Sequence, residues 1–154
     1  YTEENTLSLH DALPILFVHA SAHEPDRWTY VDDTSTATRS LLAAQAQHSQ
    51  TRFVFGGHVH RQSLYYLGSE RRLMAFAPTP GIAIPTPRHR SWLATVGSVG
   101  QPRDGRPDAM YALFDTQSAR LRFQRVPYDI DAAMRAIERA GADDHAARRL
   151  ALGR

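Results

Sequence analysis

The sequence predicts one mixed α/β domain of the α+β kind, and three observations carry that prediction. Residues 34–50 have helical periodicity with an apolar side and run directly into a short apolar strand at 52–55, the order expected of a helix laid on a sheet. Two pairs of apolar runs, 63–67 with 73–77 and 110–114 with 121–126, flank turn-forming residues and read as hairpins, so antiparallel pairing joins the helix-then-strand pattern. The chain closes on two further helical segments.

Taken in order, residues 1–15 do not read as the approach to a strand. They look like the translated adapter peptide found at broken ends of metagenomic reading frames. Native sequence is therefore expected from about Leu16, with whatever lay upstream lost; the alternative is an ordinary N-terminal helix capped by Ser8, and either way His10 and Asp11 are set outside any site. Leu16, Phe17 and Val18, with Ile15 extending them, give a buried-strand signal that ends in His19, Ala20 and Ser21. A side chain at a strand end reaches the crevice where sheets place ligands, although a lone histidine there is more often an ordinary hydrogen-bonded residue. Residues 25–33 form an irregular or short extended segment whose Trp28 and Tyr30 either pack or line a substrate mouth.

In the helix at 34–50, Ser35 or Thr36 is the expected N-cap, and Leu41, Leu42 and Ala46, with Ala43 and Ala44, form the apolar side. Prolines 78, 80, 85 and 87 exclude regular ladder pairing across 78–87. Residues 92–96 are another strand, and it runs into a loop at 97–105 whose glycines 97, 100 and 105 permit tight bends close to a ligand. The alternation of 121–126 is imperfect, as in a strand near an edge. Asp129 or Asp131 caps a helix that runs through Ala140 and stops at Gly141. A second helix, 143–152, is apolar at Ala147, Leu150 and Ala151. The expected division is a leader at 1–15, the body of the domain at 16–128, and helices at 129–154 that dock on that same domain.

Composition narrows the function classes. All 18 basic residues are arginine, but 16 carboxylates bring the formal charge to +2. The arginines are scattered rather than gathered on one stripe, which argues against sequence-specific nucleic-acid binding. No apolar run approaches the ~20 residues of a membrane span, and no basic-then-apolar leader marks secretion. A cytoplasmic protein with no membrane partner is expected. Cysteine is absent, so any transition metal must be held by imidazole and oxygen.

The stretch with the most chemistry is Phe53-Val54-Phe55-Gly56-Gly57-His58-Val59-His60-Arg61. On extended backbone, His58 and His60 would point the same way and present their imidazoles side by side, with Gly56 and Gly57 letting the chain curl around a metal pair. Spacing alone is weak support, because eight histidines in 154 residues give about 0.4 such pairs by random placement.

The combination of segments resembles the C-terminal half of a calcineurin-like metallophosphoesterase, in its small bacterial phosphodiesterase branch. Gly57-His58-Val59-His60 is similar to that family's last ligand motif, and His19 after Phe17-Val18 to its preceding single-histidine motif. The 97–105 loop, Gly97-Ser98-Val99-Gly100-Gln101-Pro102-Arg103-Asp104-Gly105, is similar to a stretch this branch carries after the metal motifs. Tyr111-Ala112-Leu113-Phe114-Asp115 and Arg125-Val126-Pro127-Tyr128-Asp129 resemble its closing hairpin. The resemblance implies an incomplete four-layer α/β/β/α sandwich with mixed sheets and a metal site in which His19 and His58 bind one ion and His60 the other. His23 and His89 match no ligand position. The family's other ligands lie in Asp-x-His, Gly-Asp-x-x-Asp and Gly-Asn-His motifs, none of which precedes His19 in this chain.

The activity this implies is metal-dependent hydrolysis of a phosphodiester or phosphomonoester, on a small molecule or a phosphoprotein, with two divalent ions (manganese, iron, zinc or nickel) activating the attacking water. The histidine that would protonate the leaving group is expected upstream, so no catalytic residue is retained. Arg61 and Arg103 are the candidate phosphate contacts, with an ion pair between Arg103 and Asp104 as the structural alternative. The chain as it stands is expected to be a truncated, inactive fragment, prone to aggregate or form homo-oligomers through an exposed sheet edge. The competing expectations are a noncatalytic binding or scaffold relative and an arginine-rich phosphate- or RNA-binding module.

Overall fold

In the computed structural model, the described residues are 14–68 and 72–154. His10, Asp11 and most of the leader therefore lie outside them, as do Ser69 and Glu70 at the first hairpin turn. In chain order the strands are β1 (Ile15–Phe17), β2 (Phe53–Gly56), β3 (Gln62–Leu67), β4 (Leu73–Phe76), β5 (Ala83–Pro85), β6 (Trp92–Val96), β7 (Ala109–Asp115) and β8 (Arg120–Val126). The helices are α1 (Thr34–Gln47), α2 (Ile130–Arg139) and α3 (Asp144–Leu152), with one 3-10 turn at Pro25–Arg27.

Strand β2 is buried along its whole length because its alternate side chains enter two cores. Val54 points into one with Leu93, Tyr65, Leu41 and Ala37, beneath α1. Phe53 and Phe55 point into the other, with Leu64, Trp92, Leu121 and Phe123. The first sheet runs β1-β2-β6-β3-β4, parallel from β1 through β6 and antiparallel beyond. The second runs β5-β8-β7 and is antiparallel throughout. The helix-then-strand pattern and both hairpins thus hold, and the architecture is the mixed α/β arrangement the sequence predicts.

Several local expectations are corrected. The N-cap of α1 is Asp33, whose Oδ1 accepts from Thr36 N at 2.7 Å while Thr36 Oγ1 accepts from Asp33 N at 3.4 Å, a closed capping box. Its inward face is Ala37, Ser40, Leu41 and Ala44; Leu42 and Ala46 are exposed. A serine joins that face because Ser40 Oγ accepts from Ala22 N at 2.9 Å and pins the loop after β1. The proline-rich segment does pair, through β5, which tolerates Pro85 because it is an edge strand ending at that residue. Strand β8 is central, not peripheral. Its broken alternation comes from Arg125, whose nearly buried side chain pairs with Asp104, and burial lowers the Arg125 pKa. Strand β1 is only half-buried, and Phe17 is 74% exposed.

The two sheets are joined at Gln62. Its Nε2 donates towards Val96 O at 3.3 Å in the first sheet and towards Tyr111 O and Gln124 O, each at 3.1 Å, in the second. At the C-terminal end, α2 is capped by Asp129 and buries no residue. It packs on α3, which buries Ala147 and Leu150. Gly153 closes α3 in the left-handed region (φ 62°) and meets the 97–105 loop, where Gly105 N donates to Gly153 O at 3.0 Å. No helix among the described residues is long and apolar enough to cross a membrane.

Among the described residues β1 pairs on one side only, as does β7. Between these two edges lies a cleft of about 670 Å³, lined by apolar groups including Ile15, Phe17, Phe55, Val96 and Ala112. Phe17 stacks on Phe55 with ring centroids 5.5 Å apart. Self-association rising with concentration is expected from this surface, and Phe17→Ser should weaken it; sedimentation velocity that finds a monomer at all concentrations would contradict it.

A Cβ on Gly56 would meet the Ala20 carbonyl oxygen at 2.9 Å, whereas one on Gly100 would meet nothing within 4 Å. Gly56→Ala should therefore destabilise by about 1–3 kcal/mol in urea unfolding. Gly100→Ala should stay within about 0.5 kcal/mol of the parent.

Candidate functional site

The first two histidines meet because β1 and β2 stay in register beyond their ends. Val18 N donates to Phe55 O at 2.9 Å and Gly57 N to His19 O at 3.0 Å. That brings His19 Nε2 to 3.0 Å from His58 Nδ1 across 39 residues of sequence. One of the two imidazoles donates to the other; the distance alone does not say which. Gly56 serves the approach of the Ala20 carbonyl rather than a curl around metal.

His58 and His60 are not on extended backbone. Their φ values are 64° and 55°, both left-handed, and Val59 between them is buried. The same-side argument therefore fails, and the two imidazoles take different partners. His60 Nδ1 lies 2.7 Å from Gln101 O. A carbonyl only accepts, so Nδ1 carries the hydrogen and Nε2 keeps its lone pair. The 97–105 loop is held there by its backbone, with Arg103 N donating to His60 O at 3.0 Å.

Arg103 is the cation of this site. Asp104 is taken by Arg125, so the expected alternative of an Arg103–Asp104 pair is not realised. The Arg103 guanidinium instead donates to Tyr30 Oη at 3.3 Å and reaches Gln101 Oε1 at 3.4 Å. Its buried Nε has no partner among the described residues. Arg61 follows His60 and is exposed, and its carbonyl accepts from Thr95 Oγ1 of β6 at 2.8 Å. His23 lies 3.8 Å from Glu24 as a surface pair.

Burial, first, then the neighbouring His19, His60 and Arg103, lower the pKa of His58. Burial also lowers that of His60; the hydrogen bond to Gln101 opposes this, and Arg103, His19 and Arg149 add to the lowering. Both shifts favour the neutral imidazole, the form that binds metal. The His60 tautomer, with Nδ1–H on a backbone carbonyl, is that of a metal-ligating histidine. The His19 and His58 nitrogens, 3.0 Å apart, are as close as two ligands at about 2.1 Å subtending about 90° at one ion, and closer than the ~3.4 Å of a tetrahedral pair; ligation by both would replace the hydrogen bond between them. Against this, no group of three or more His, Asp or Glu side chains able to hold a metal occurs among the described residues. The residues present fit part of a metal site.

Two side chains enter the site that the sequence left as either packing or mouth. The Tyr30 ring stacks on His58 at 4.4 Å, with 22° between planes. The Trp28 ring lies 4.8 Å from His19 and 5.8 Å from His58. Gln101, whose carbonyl sets the His60 tautomer, was not legible at all, since a backbone acceptor leaves no mark on residue type.

No family model matches the sequence. The chain is 29% identical over 145 residues to the uncharacterized protein MJ0912 of Methanocaldococcus jannaschii, covering 91% of this chain and 52% of that protein. A metallophosphoesterase from Sphaerobacter thermophilus superposes with a TM-score of 0.79 at 28% identity, over 93% of this chain and 56% of that one. The hypothetical protein PH1004 of Pyrococcus horikoshii OT3 gives 0.58 at 15% identity, over 88% and 45%, a likeness of fold alone. The chain spans about half the length of the relatives it matches. Its fold is of the calcineurin-like metallophosphoesterase type.

Because the folded protein resists protonating His58 and His60, the unfolded chain takes up protons first as pH falls below the ordinary histidine value near 6.5. Stability contributed by these groups is complete above that value and declines below it, through the lowered folded values. Urea midpoints measured between pH 7.5 and 5.5 should fall, and His58→Asn with His60→Asn, which tolerate left-handed backbone, should flatten the slope. An unchanged slope in that double variant would assign it to other groups.

Proposed function

From a metallophosphoesterase-type fold, we propose that this chain is part of a metal-dependent phosphoester hydrolase, and that His19, His58 and His60 are its imidazole contribution to a dinuclear centre. The observation that supports this most is the His19–His58 contact at 3.0 Å, made by two residues distant in sequence. Two divalent ions, when bound, would offset phosphate charge and lower the pKa of the attacking water. Manganese, iron, zinc and nickel all suit imidazole and carboxylate ligands. His19 and His58 would hold one ion, and His60 the other through Nε2, oriented by the Gln101 carbonyl. Arg103, with no carboxylate partner among the described residues, would take a phosphate oxygen through its planar guanidinium. The substrate would be a small phosphoester or a phosphoprotein.

Three imidazoles are too few to hold two ions well. Carboxylate and asparagine ligands of the kind found in Asp-x-His, Gly-Asp-x-x-Asp and Gly-Asn-His motifs would complete the set, and the chain alone is expected to be inactive.

Calorimetric titration with Mn²⁺ and assay of bis(p-nitrophenyl) phosphate hydrolysis test both parts. Weak metal binding is expected, at least about tenfold weaker in His58→Ala, with hydrolysis at background. Sustained Mn²⁺-dependent turnover would show the site to be complete within this chain. Absence of any metal binding would favour a noncatalytic relative.

A further inference from the structure

Trp28 is placed in a way that ordinary packing does not explain. It is 57% exposed, whereas Trp92 is 6% exposed and donates its indole N–H to Pro87 O at 3.2 Å. Trp28 ends the Pro25–Arg27 turn with φ 49°, and Glu24 begins it with φ 48°. A left-handed backbone at a residue as bulky as tryptophan is an outlier. It persists here because the turn is closed by Trp28 N donating to Pro25 O at 3.3 Å and by the Glu24–Arg27 pair at 3.5 Å. The result is an indole in solvent beside the two imidazoles.

Its orientation leaves a surface for use. Trp28 meets His58 edge-on at 69° and His19 at a tilt of 58°, so neither imidazole is stacked flat on the indole. Tyr30 is different: its ring lies nearly flat on His58, and its hydroxyl accepts from Arg103. One aromatic residue thus braces a candidate metal ligand and the candidate phosphate-binding arginine, while its neighbour presents a large π-surface at their margin. Trp28 and Arg103 both neighbour His58, the first with ring centroids 5.8 Å apart and the second through Tyr30, which stacks on that imidazole, and ring-on-ring stacking accepts any flat aromatic group.

We propose that Trp28, set against His19 and His58, is the stacking platform through which this site selects phosphoesters bearing a flat aromatic group, a nucleobase or an aryl ring, over sugar and glycerol phosphates. This rests on reading the site as one for phosphoesters. Trp28 is a specificity residue: it contacts the group that leaves or stays attached, not the phosphorus.

The test is calorimetric titration of the full chain, with Mn²⁺ present, against AMP, phenyl phosphate and ribose 5-phosphate. AMP is expected to bind about tenfold more tightly than ribose 5-phosphate, with quenching of the exposed Trp28 emission. Trp28→Ala should erase that preference, Trp28→Phe should keep most of it, and ribose 5-phosphate affinity should not change in either. Should Trp28→Ala fail to fold, Trp28→Gly, which suits the left-handed φ, takes its place. Phenyl phosphate binding as tightly as AMP identifies any aromatic ring as sufficient; AMP preferred alone identifies the nucleobase. Equal affinity for AMP, phenyl phosphate and ribose 5-phosphate, or a preference that survives Trp28→Ala, overturns the platform and leaves the phosphoester reading intact. Failure of all three to bind overturns both.

Discussion

The parallel pairing of β1 with β2 is the constraint on which the rest depends. Three residue pairs, Ile15 with Phe53 through Phe17 with Phe55, are too few to make a robust strand pair by themselves. The pairing extends because Val18 and Gly57 add hydrogen bonds past the strand ends, and because Gly56 has no Cβ to collide with the Ala20 carbonyl. Ala20, Ser21 and Ala22 are then buried and tied to α1 through Ser40. His19 and His58, at the strand ends, inherit their positions from this packing, so the sheet sets the frame within which the contacts among the site residues form.

Backbone strain gathers where the side chains have chemistry. Among the described residues five non-glycine residues have left-handed φ, and four of them, Glu24, Trp28, His58 and His60, belong to the site or to the turn beside it; the fifth, Ala119, lies in the β7–β8 turn. Each such residue costs of order 1–3 kcal/mol and persists only where its neighbours over-determine it. His58 and His60 are over-determined by Val59, whose burial fixes the peptide between them, and by the Arg103 N–H on the His60 carbonyl. The outcome is that residues two apart in sequence address different hydrogen-bonding partners, His19 for one and the Gln101 carbonyl for the other.

The readability of the sequence followed the range of the interactions. Trp92–Val96 and both hairpins were legible because short apolar runs bounded by turn residues are a local signal. Local rules failed where a distant partner decided: Arg125 breaks the alternation of β8 for the sake of Asp104 in another loop, and Pro85 sits in a strand because β8 leaves an edge position open. Asp33 was passed over as a cap in favour of its neighbours, an error of boundary, since N-cap chemistry was correctly expected there. For the site, residue types in the His58–His60 stretch pointed to metal ligation, while extended geometry did not follow. The proximity of His19 had no footprint in spacing and came from resemblance alone. Tyr30 and Trp28 were ambiguous because an aromatic residue in an irregular segment looks the same whether it packs or faces a ligand.

Gln62 has a consequence for the mobility of the layers. An apolar interface between sheets, such as that of Phe53, Leu64, Leu121 and Phe123, is nondirectional and would tolerate sliding of one layer over the other with little change in buried area. A single amide aimed at carbonyls from both sheets removes that freedom, since any offset leaves a desolvated donor without an acceptor, at about 1–3 kcal/mol. Gln62 therefore works as a locating pin. It contributes little to holding the layers together and much to deciding where they stop, and it sits two residues from His60, where a shift of an ångström would be felt most.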